Sequence, residues 1–364
     1  LRARMKKYRD KEGRRVVEVS DLSYLTDRNH HYNWFQRHYH HHRLRRSLKK
    51  AARIVAADKK VAQDIHRFYF IPNENIDLKI KSTVLFAALL ISSVTMSAQK
   101  NVLRFNEDGK FKIVQFTDTH LGTGEGASEY RCLQADKTLA RISRVVNLEK
   151  PDFIVLTGDV VTGGDASETW SRLLDSLASF KTPFCIVYGN HDPERKLTRQ
   201  EMSRPIAAAP YSLNRLNKAK ELADMEIEVL SSKSDRPALL LYCMDSRDYS
   251  TIETVRGYGW FTTDQIEWLR NSCMARTEAN GGISVPSLAF FHICLQEYAQ
   301  AWNNPKNSRK GKRAEDECPG ALNTGMFAAM VESGSVMGTF VGHDHDNDYV
   351  VAEKGIALGY GRFS

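Results

Sequence analysis

Along residues 111–345, apolar runs of strand length alternate with segments of helical periodicity. The runs are FKIVQFTD (111–118), FIVLTGD (153–159), FCIVYGNHD (184–192), ALLLYCMDS (238–246), LAFFHI (288–293) and VMGTFVGHDH (336–345). Helical patterns fall near 128–149, 167–180, 263–275 and 321–333. Thr262-Thr263-Asp264-Gln265 offers a capping box at the start of the third. Continuous apolar strands alternating with helices predict an α/β layered fold with strands buried on both faces. The polar residues that end each run then lie at the carboxyl ends of strands, where open α/β sheets gather their ligands.

The pattern changes upstream. Residues 79–99 read KIKSTVLFAALLISSVTMSAQ, with two lysines, an apolar run from Val84 to Val94 and a small-residue end at Ser97-Ala98-Gln99. That order is the order of a secretory signal peptide, and the apolar run is too short for the roughly 20 residues that span a bilayer. The domain after it is therefore expected to be periplasmic or secreted, with no stable membrane span. A buried helix between domains is the alternative.

Residues 1–78 precede this seam and read as a basic helical segment with a short apolar IVAA and an Ile71-Pro72 turn. They resemble the end of the N-terminal domain of family 4 glycosyltransferases, over about 70 residues and without a complete donor site. The expected organisation is a glycosyltransferase-like fragment at 1–78, a signal-like segment at 79–98 and a separate domain at 99–364. The first segment is expected to come from a different gene. The run His40-His41-His42 reads as a solvated basic helix face rather than a chelator.

Charge follows the same division. The chain of 364 residues carries a net charge of +8, yet residues 1–78 hold 19 Lys+Arg against 9 Asp+Glu and the remainder holds 33 against 35. The basic excess belongs to the first fifth, so it gives no reason to expect a nucleic-acid partner for the rest. The six cysteines form no C-x-x-C pair, which argues against a zinc ribbon or a disulfide scaffold. Cys185 and Cys243 lie inside apolar runs and are expected as buried thiols.

Seven of the twelve histidines lie before residue 79; the other five are His120, His191, His292, His343 and His345. Each of these five sits at the end of a predicted strand, in the company of Asp118, Asp159, Asn190 and Asp192. An isolated H-x-H is as readily a solvated turn as a site. In extended backbone, however, His343 and His345 would point to the same side, and five strand ends converging on one rim would join them to the others. Carboxylate, imidazole and carboxamide donors without a thiolate suit Mn, Fe or Zn in a catalytic setting. Two such ions about 3.5–4 Å apart clamp the attacking and leaving oxygens of a phosphoryl displacement.

In order, Asp118-Thr-His120, Gly158-Asp159, Gly189-Asn190-His191-Asp192, His292 and Gly342-His343-Asp-His345 resemble the motifs of the calcineurin-like metallophosphoesterases, over about residues 110–364. DTHLG, YGNHDPE, FFHICLQEY and GHDHDNDY…GYGRFS are similar to the small members related to purple acid phosphatases. The resemblance implies a β-sandwich flanked by helices and a centre of two divalent ions. It implies that Asp118, His120 and His345 bind the first ion, that Asn190, His292 and His343 bind the second, and that Asp159 bridges them. His191 would approach the phosphate as acid or hydrogen-bond donor, with Asp192 either orienting it or capping the following segment. The expected activity is hydrolysis of a phosphorylated substrate, a phosphomonoester first, by a bridging hydroxide; a glycosyltransferase or a metal-free scaffold of the same fold are the alternatives. Thr162 stands where purple members carry tyrosine, Cys294 stands where relatives often have proline, and the chain ends at GYGRFS where relatives continue, so truncation is expected.

Overall fold

The computed structural model describes residues 5–9, 14–19, 22, 43–57, 59–69, 71–72, 75–78, 102–123, 129–194 and 197–363. The chain divides into two compact units, Leu1–Val94 and Thr95–Ser364. Residues 79–98, which carry the signal-like pattern, lie outside the described residues. Among the described residues no helix is long and apolar enough to cross a membrane.

The first unit corrects the expectation of a helical segment. Strands β1 (Met5–Arg9) and β2 (Arg15–Val19) pair antiparallel, and β2, β3 (Arg53–Ala56) and β4 (Ile76–Leu78) continue the sheet in parallel. Helices α1 (43–49) and α2 (Lys59–Tyr69) accompany it. The β-branched residues of RVVEV and RIVA favour a pleated, half-buried surface. Val17, Val19 and Ile54 are buried there together with Leu44, Leu48 and Ile65 from the helices. The basic residues dominate the composition, but these apolar positions decide the local structure.

The second unit is a sandwich of two sheets with helices outside both. Its elements in order are β5 (Leu103–Arg104), β6 (Ile113–Phe116), β7 (Leu121–Thr123), α3 (Glu129–Glu149), β8 (Phe153–Thr157), β9 (Val161–Gly164), α4 (Ala166–Ser179) and β10 (Phe184–Val187). Then follow α5 (Arg199–Ala208), β11 (Met225–Leu230), β12 (Pro237–Cys243), α6 (Thr263–Ala279), β13 (Ser287–Phe290), α7 (Glu297–Asn303), β14 (Arg309–Lys312), α8 (Met326–Ser333), β15 (Val336–Val341), β16 (Asp348–Glu353) and β17 (Ile356–Tyr360). Strands β10, β8 and β6 form a parallel three-stranded sheet, and β7 pairs with β9 separately. The second large sheet is mixed and runs β14-β16-β17-β15-β13-β12-β11-β5.

Alternation along the central strands builds the layers. Successive side chains of a strand face opposite ways. On β8, Phe153 and Val155 face the other sheet with Leu239, Leu241 and Cys243 of β12, whereas Ile154 and Leu156 pack beneath Trp170 and Leu173 of α4. On β12, Leu240 and Tyr242 turn the other way, to Leu269 of α6 and Met330 of α8. Both faces are apolar because both are covered, which explains the unbroken apolar runs of the sequence. Each large side chain fully buried in this way contributes about 1.5–3 kcal/mol. The predicted capping box is present: Thr262 accepts from Gln265 N, and the Gln265 side chain returns to the Thr262 backbone. A second box, Thr198 with Glu201, starts α5, a helix the sequence pattern does not announce.

The charged stretch 303–317 contributes β14, an exposed edge strand paired to β16. Arg313 is engaged with Glu317 and Asp316. Exposed charges on an edge strand discourage pairing with another chain.

Candidate metal centre

The aligned carboxyl ends of the two sheets meet at one rim. From the three-stranded sheet, β6 leads to Asp118 and His120, β8 to Asp159, and β10 to Asn190 and His191. From the eight-stranded sheet, β13 leads to His292, and β15 to His343 and His345. Two groups of donors form there, Asp118–His120–His345 and Asp159–His292–His343, with the donor atoms of each group within 4.8 Å of one another. Each group draws on both sheets.

Local backbone departs from strand geometry to achieve this. Asp118, His120, Asp159 and His343 all have positive φ, at 51°, 43°, 50° and 78°. Such conformations cost non-glycine residues of order 1–3 kcal/mol and persist where surrounding contacts impose them. The positive φ of His343 corrects the expectation of an extended H-x-H segment. The chain turns after Val341, and His343 and His345 enter different groups rather than pointing alike. Two motif glycines are required by close approach: a methyl at Gly189 would collide with the Asp159 carboxylate, and one at Gly342 with Thr117 and the Asp118 carboxylate.

The distances place Asp159 between the groups. Its Oδ2 lies 3.2 Å from His292 Nε2 and 3.9 Å from His120 Nε2. His120 Nε2 and His345 Nε2 approach to 3.1 Å, and His345 Nε2 lies 3.4 Å from Asp118 Oδ1. Asn190 is fully buried, with its Oδ1 3.2 Å from His292 Nε2. Surrounding groups fix the ring directions. His292 Nδ1 meets the Thr157 carbonyl at 2.8 Å, and His120 Nδ1 meets Thr162 Oγ1 at 3.1 Å, so both Nε2 atoms face the carboxylates. Partners of this kind set the tautomer of a metal-binding imidazole.

Electrostatics agree with a cationic occupant. Asp118 and Asp159 are each 1% exposed, and among the described residues neither pairs with a lysine or arginine. Burial is the largest influence and would raise both carboxyls, but the charge of His292 together with hydrogen bonds, from His345 and Thr117 to Asp118 and from His292 and the His191 backbone to Asp159, holds both below the usual carboxylate range. His292, in turn, would be lowered by burial, yet the charges of Asp159 and Asp118 push it up to about 10. His120 is lowered to about 4 by burial, and His343 to about 3 by burial and the charge on His292. Their imidazoles are therefore neutral and keep a lone pair free. Two buried carboxylates that share one protonated imidazole are still short of positive charge, which is costly, and oxygen and nitrogen donors without a thiolate match divalent Mn, Fe or Zn. The residues fit the ions that the motifs imply.

His191 stands outside both groups and is 40% exposed, its ring 5.8 Å from that of His120. Its backbone N–H donates to Asp159 Oδ1 at 2.8 Å. Asp192 is not its partner, which corrects the expectation of a catalytic role. The buried Asp192 accepts from the backbone N–H groups of Val160, Val161 and Gly189 and so ties the β8 loop to the β10 loop. Burial and the nearby charge of Asp159 push its carboxyl up to about 7. The carboxylate beside His191 is Glu194, whose Oε2 lies 2.9 Å from Nδ1. Sequence reasoning passed over it, although its spacing, three residues along the H-D-P-E turn, was the available signal. Aromatic neighbours were equally unforeseen. Phe363 stacks on His345 at 4.5 Å and 4°, and Tyr258 meets His343 edge-on at 4.4 Å.

The signature described as calcineurin-like phosphoesterase matches residues 111–346, which include every donor named above. The chain belongs to the calcineurin-like phosphoesterase family. It is thus a metal-dependent hydrolase of phosphoric esters. It is 32% identical over 302 residues to the probable inactive purple acid phosphatase 29 of Arabidopsis thaliana, covering 76% of this chain and 77% of that protein. It is 30% identical over 273 residues to phosphatase DCR2 of Saccharomyces cerevisiae, covering 69% of this chain and 46% of that one. The structure of a dimetal phosphatase from Danio rerio aligns with 70% of this chain and 87% of its own, at 15% identity and a TM-score of 0.45.

Proposed function

We propose that this calcineurin-like phosphoesterase is a phosphomonoesterase with a two-ion centre, in which Asp118, His120 and His345 hold one divalent ion and Asn190, His292 and His343 the other. Asp159 serves both. The observation that carries this reading is the position of the Asp159 carboxylate, within 4 Å of a histidine from each group. When bound, two such ions activate water and neutralise phosphoryl oxygens.

The chain's own residues supply the rest. Thr157 and Thr162 turn His292 and His120 so that Nε2 faces the centre. Glu194 engages Nδ1 of His191 and leaves its Nε2 to meet the phosphate or to protonate the leaving oxygen, work suited to histidine near neutral pH. Both relatives named above are phosphatases by name, which favours monoesters. The Arabidopsis protein is named inactive; in this chain both donor groups are complete. A metal-free scaffold would have lost donors from them. The glycosyltransferase alternative rests on residues 1–78 alone, outside the matched range. The signal-like pattern of 79–98 supports a periplasmic or secreted setting, which fractionation of cells expressing the full chain tests.

Activity on a panel of phosphomonoesters and phosphodiesters, with Mn, Fe and Zn supplied separately, tests the main reading. Monoesters should turn over fastest, and a consistent preference for diesters would overturn the monoesterase assignment.

A further inference from the structure

Tyr249 stands beside Asn190 and Glu194 on the loop after β12. Its hydroxyl makes two contacts of opposite sense. It donates to Glu194 Oε1 at 3.0 Å and accepts from Asn190 Nδ2 at 3.4 Å. A phenol has one proton, and an ionised carboxylate can only accept, so the proton goes to Glu194 and the carboxamide must offer its nitrogen. That choice leaves Asn190 Oδ1 on the side of His292. The flipped amide would present two N–H donors there, which cannot bind a cation.

The same phenol steadies Glu194. The side chain of Glu194 is 38% exposed, and a lone ion pair at such a site is worth little. With Oε1 held by Tyr249 and Oε2 by His191 Nδ1, the carboxylate is fixed at both oxygens. Tyr249 itself is anchored. Its ring stacks on Tyr258 at 5.7 Å and 25°, and Arg199 of α5 grips Asp245 at 2.5 Å and Asp248 at 3.5 Å on the same loop.

We propose that Tyr249 is a positioning residue whose single hydroxyl sets both the metal-facing oxygen of Asn190 and, through Glu194, the direction of the His191 ring. The second half rests on the reading of His191 as the proton donor to the leaving group; the first half does not.

Tyr249→Phe in the full chain keeps the ring and its stacking and removes only the hydroxyl. Outer partners of metal ligands are worth roughly 10–100-fold in affinity. Titration of the metal-free variant with zinc chloride against a chelating dye should show one of two zinc sites weakened by about tenfold. At saturating zinc, turnover of an alkyl phosphate should fall by about 10–100-fold, less than the roughly 10²–10⁴-fold of acid catalysis lost outright. Turnover of 2,4-dinitrophenyl phosphate, whose leaving group needs no proton, should change little. Unaltered zinc affinity overturns the proposal, as do equal losses on the two esters when His191→Ala discriminates between them. If His191→Ala fails to discriminate, the acid role of His191 falls, and the zinc titration still decides the role of Tyr249.

Discussion

The hydroxyl of Thr162 lies 3.1 Å from Nδ1 of His120. It is within reach of the ring's outer nitrogen and turns the inner one toward Asp118 and Asp159. The residue in the place of the purple members' tyrosine thus acts behind His120. Tyr188, the nearest tyrosine along the motif strands, is buried with its hydroxyl on Ser203, and burial raises its pKa further. Tyr188 is therefore not poised to bind ferric iron as a phenolate. Protein loaded aerobically with iron should lack a strong visible charge-transfer band; a band that disappears in Tyr188→Phe would refute this.

Asp159 and His191 should separate metal binding from proton transfer. Asp159→Ala removes the carboxylate that the two-ion reading assigns to both ions and should empty the centre, as read by elemental analysis after gel filtration. His191→Ala should retain about two ions per chain, since the two-ion reading places its ring outside both groups, and should lose roughly 10²–10⁴-fold in turnover. Loss of metal from the histidine variant would make it a ligand.

Asp192 and Glu194 should part company in the same way. Asp192→Asn leaves a backbone donor facing an amide N–H₂ in a buried place and should cost about 1–3 kcal/mol in urea unfolding. Glu194→Gln, partly exposed, should leave stability nearly unchanged while lowering turnover on substrates with poor leaving groups. The reverse pattern would return Asp192 to the role of orienting His191.

The metal-free protein should lose stability as pH rises above neutrality. His292 is raised from 6.5 to about 10 in the folded state, so its protonation stabilises fully below pH 6.5 and the contribution is lost as pH climbs through 10. In a chelator, the melting temperature should fall between pH 6.5 and 10 more steeply for the native chain than for His292→Gln. Saturating divalent metal should displace that proton and flatten the decline. A chelated protein with equal slopes in the two variants would contradict the pairing of His292 with Asp159.

A chain of residues 99–364 should fold and retain activity, because every donor and the three large apolar clusters of the second unit lie within it. Comparison of turnover per bound metal with the full chain is the measurement. Activity that returns only when residues 1–98 are added back separately would show that the two units depend on each other.

The layers were legible because strands buried on both faces leave unbroken apolar runs, as in FIVLTGD and ALLLYC. The convergence of His292 and its companions at one rim was legible because they end those runs. What escaped notice has physical reasons. Strands β7 and β9 are three and four residues long, too short to show a period. The strands of the first unit were hidden by the basic residues around RVVEV. The left-handed backbone of Asp118 and His343 is imposed by contacts across the rim, and no local residue type signals it. Tyr249 lies on a loop without periodicity, and its partners are 55 and 59 residues away.

Each donor group takes side chains from both sheets, so a bound ion would act as a rivet through the two layers at one rim. Among the described residues the opposite rim has no such donor group; there Asn106, just after β5, donates to Asp152, just ahead of β8. Chelation should therefore loosen the sandwich unevenly, with amide hydrogen exchange quickening at the carboxyl ends of β8, β13 and β15 while their amino ends stay protected. The catalytic ions would then double as a mechanical fastening, and starvation for metal would expose that rim to proteases before any loss of the core.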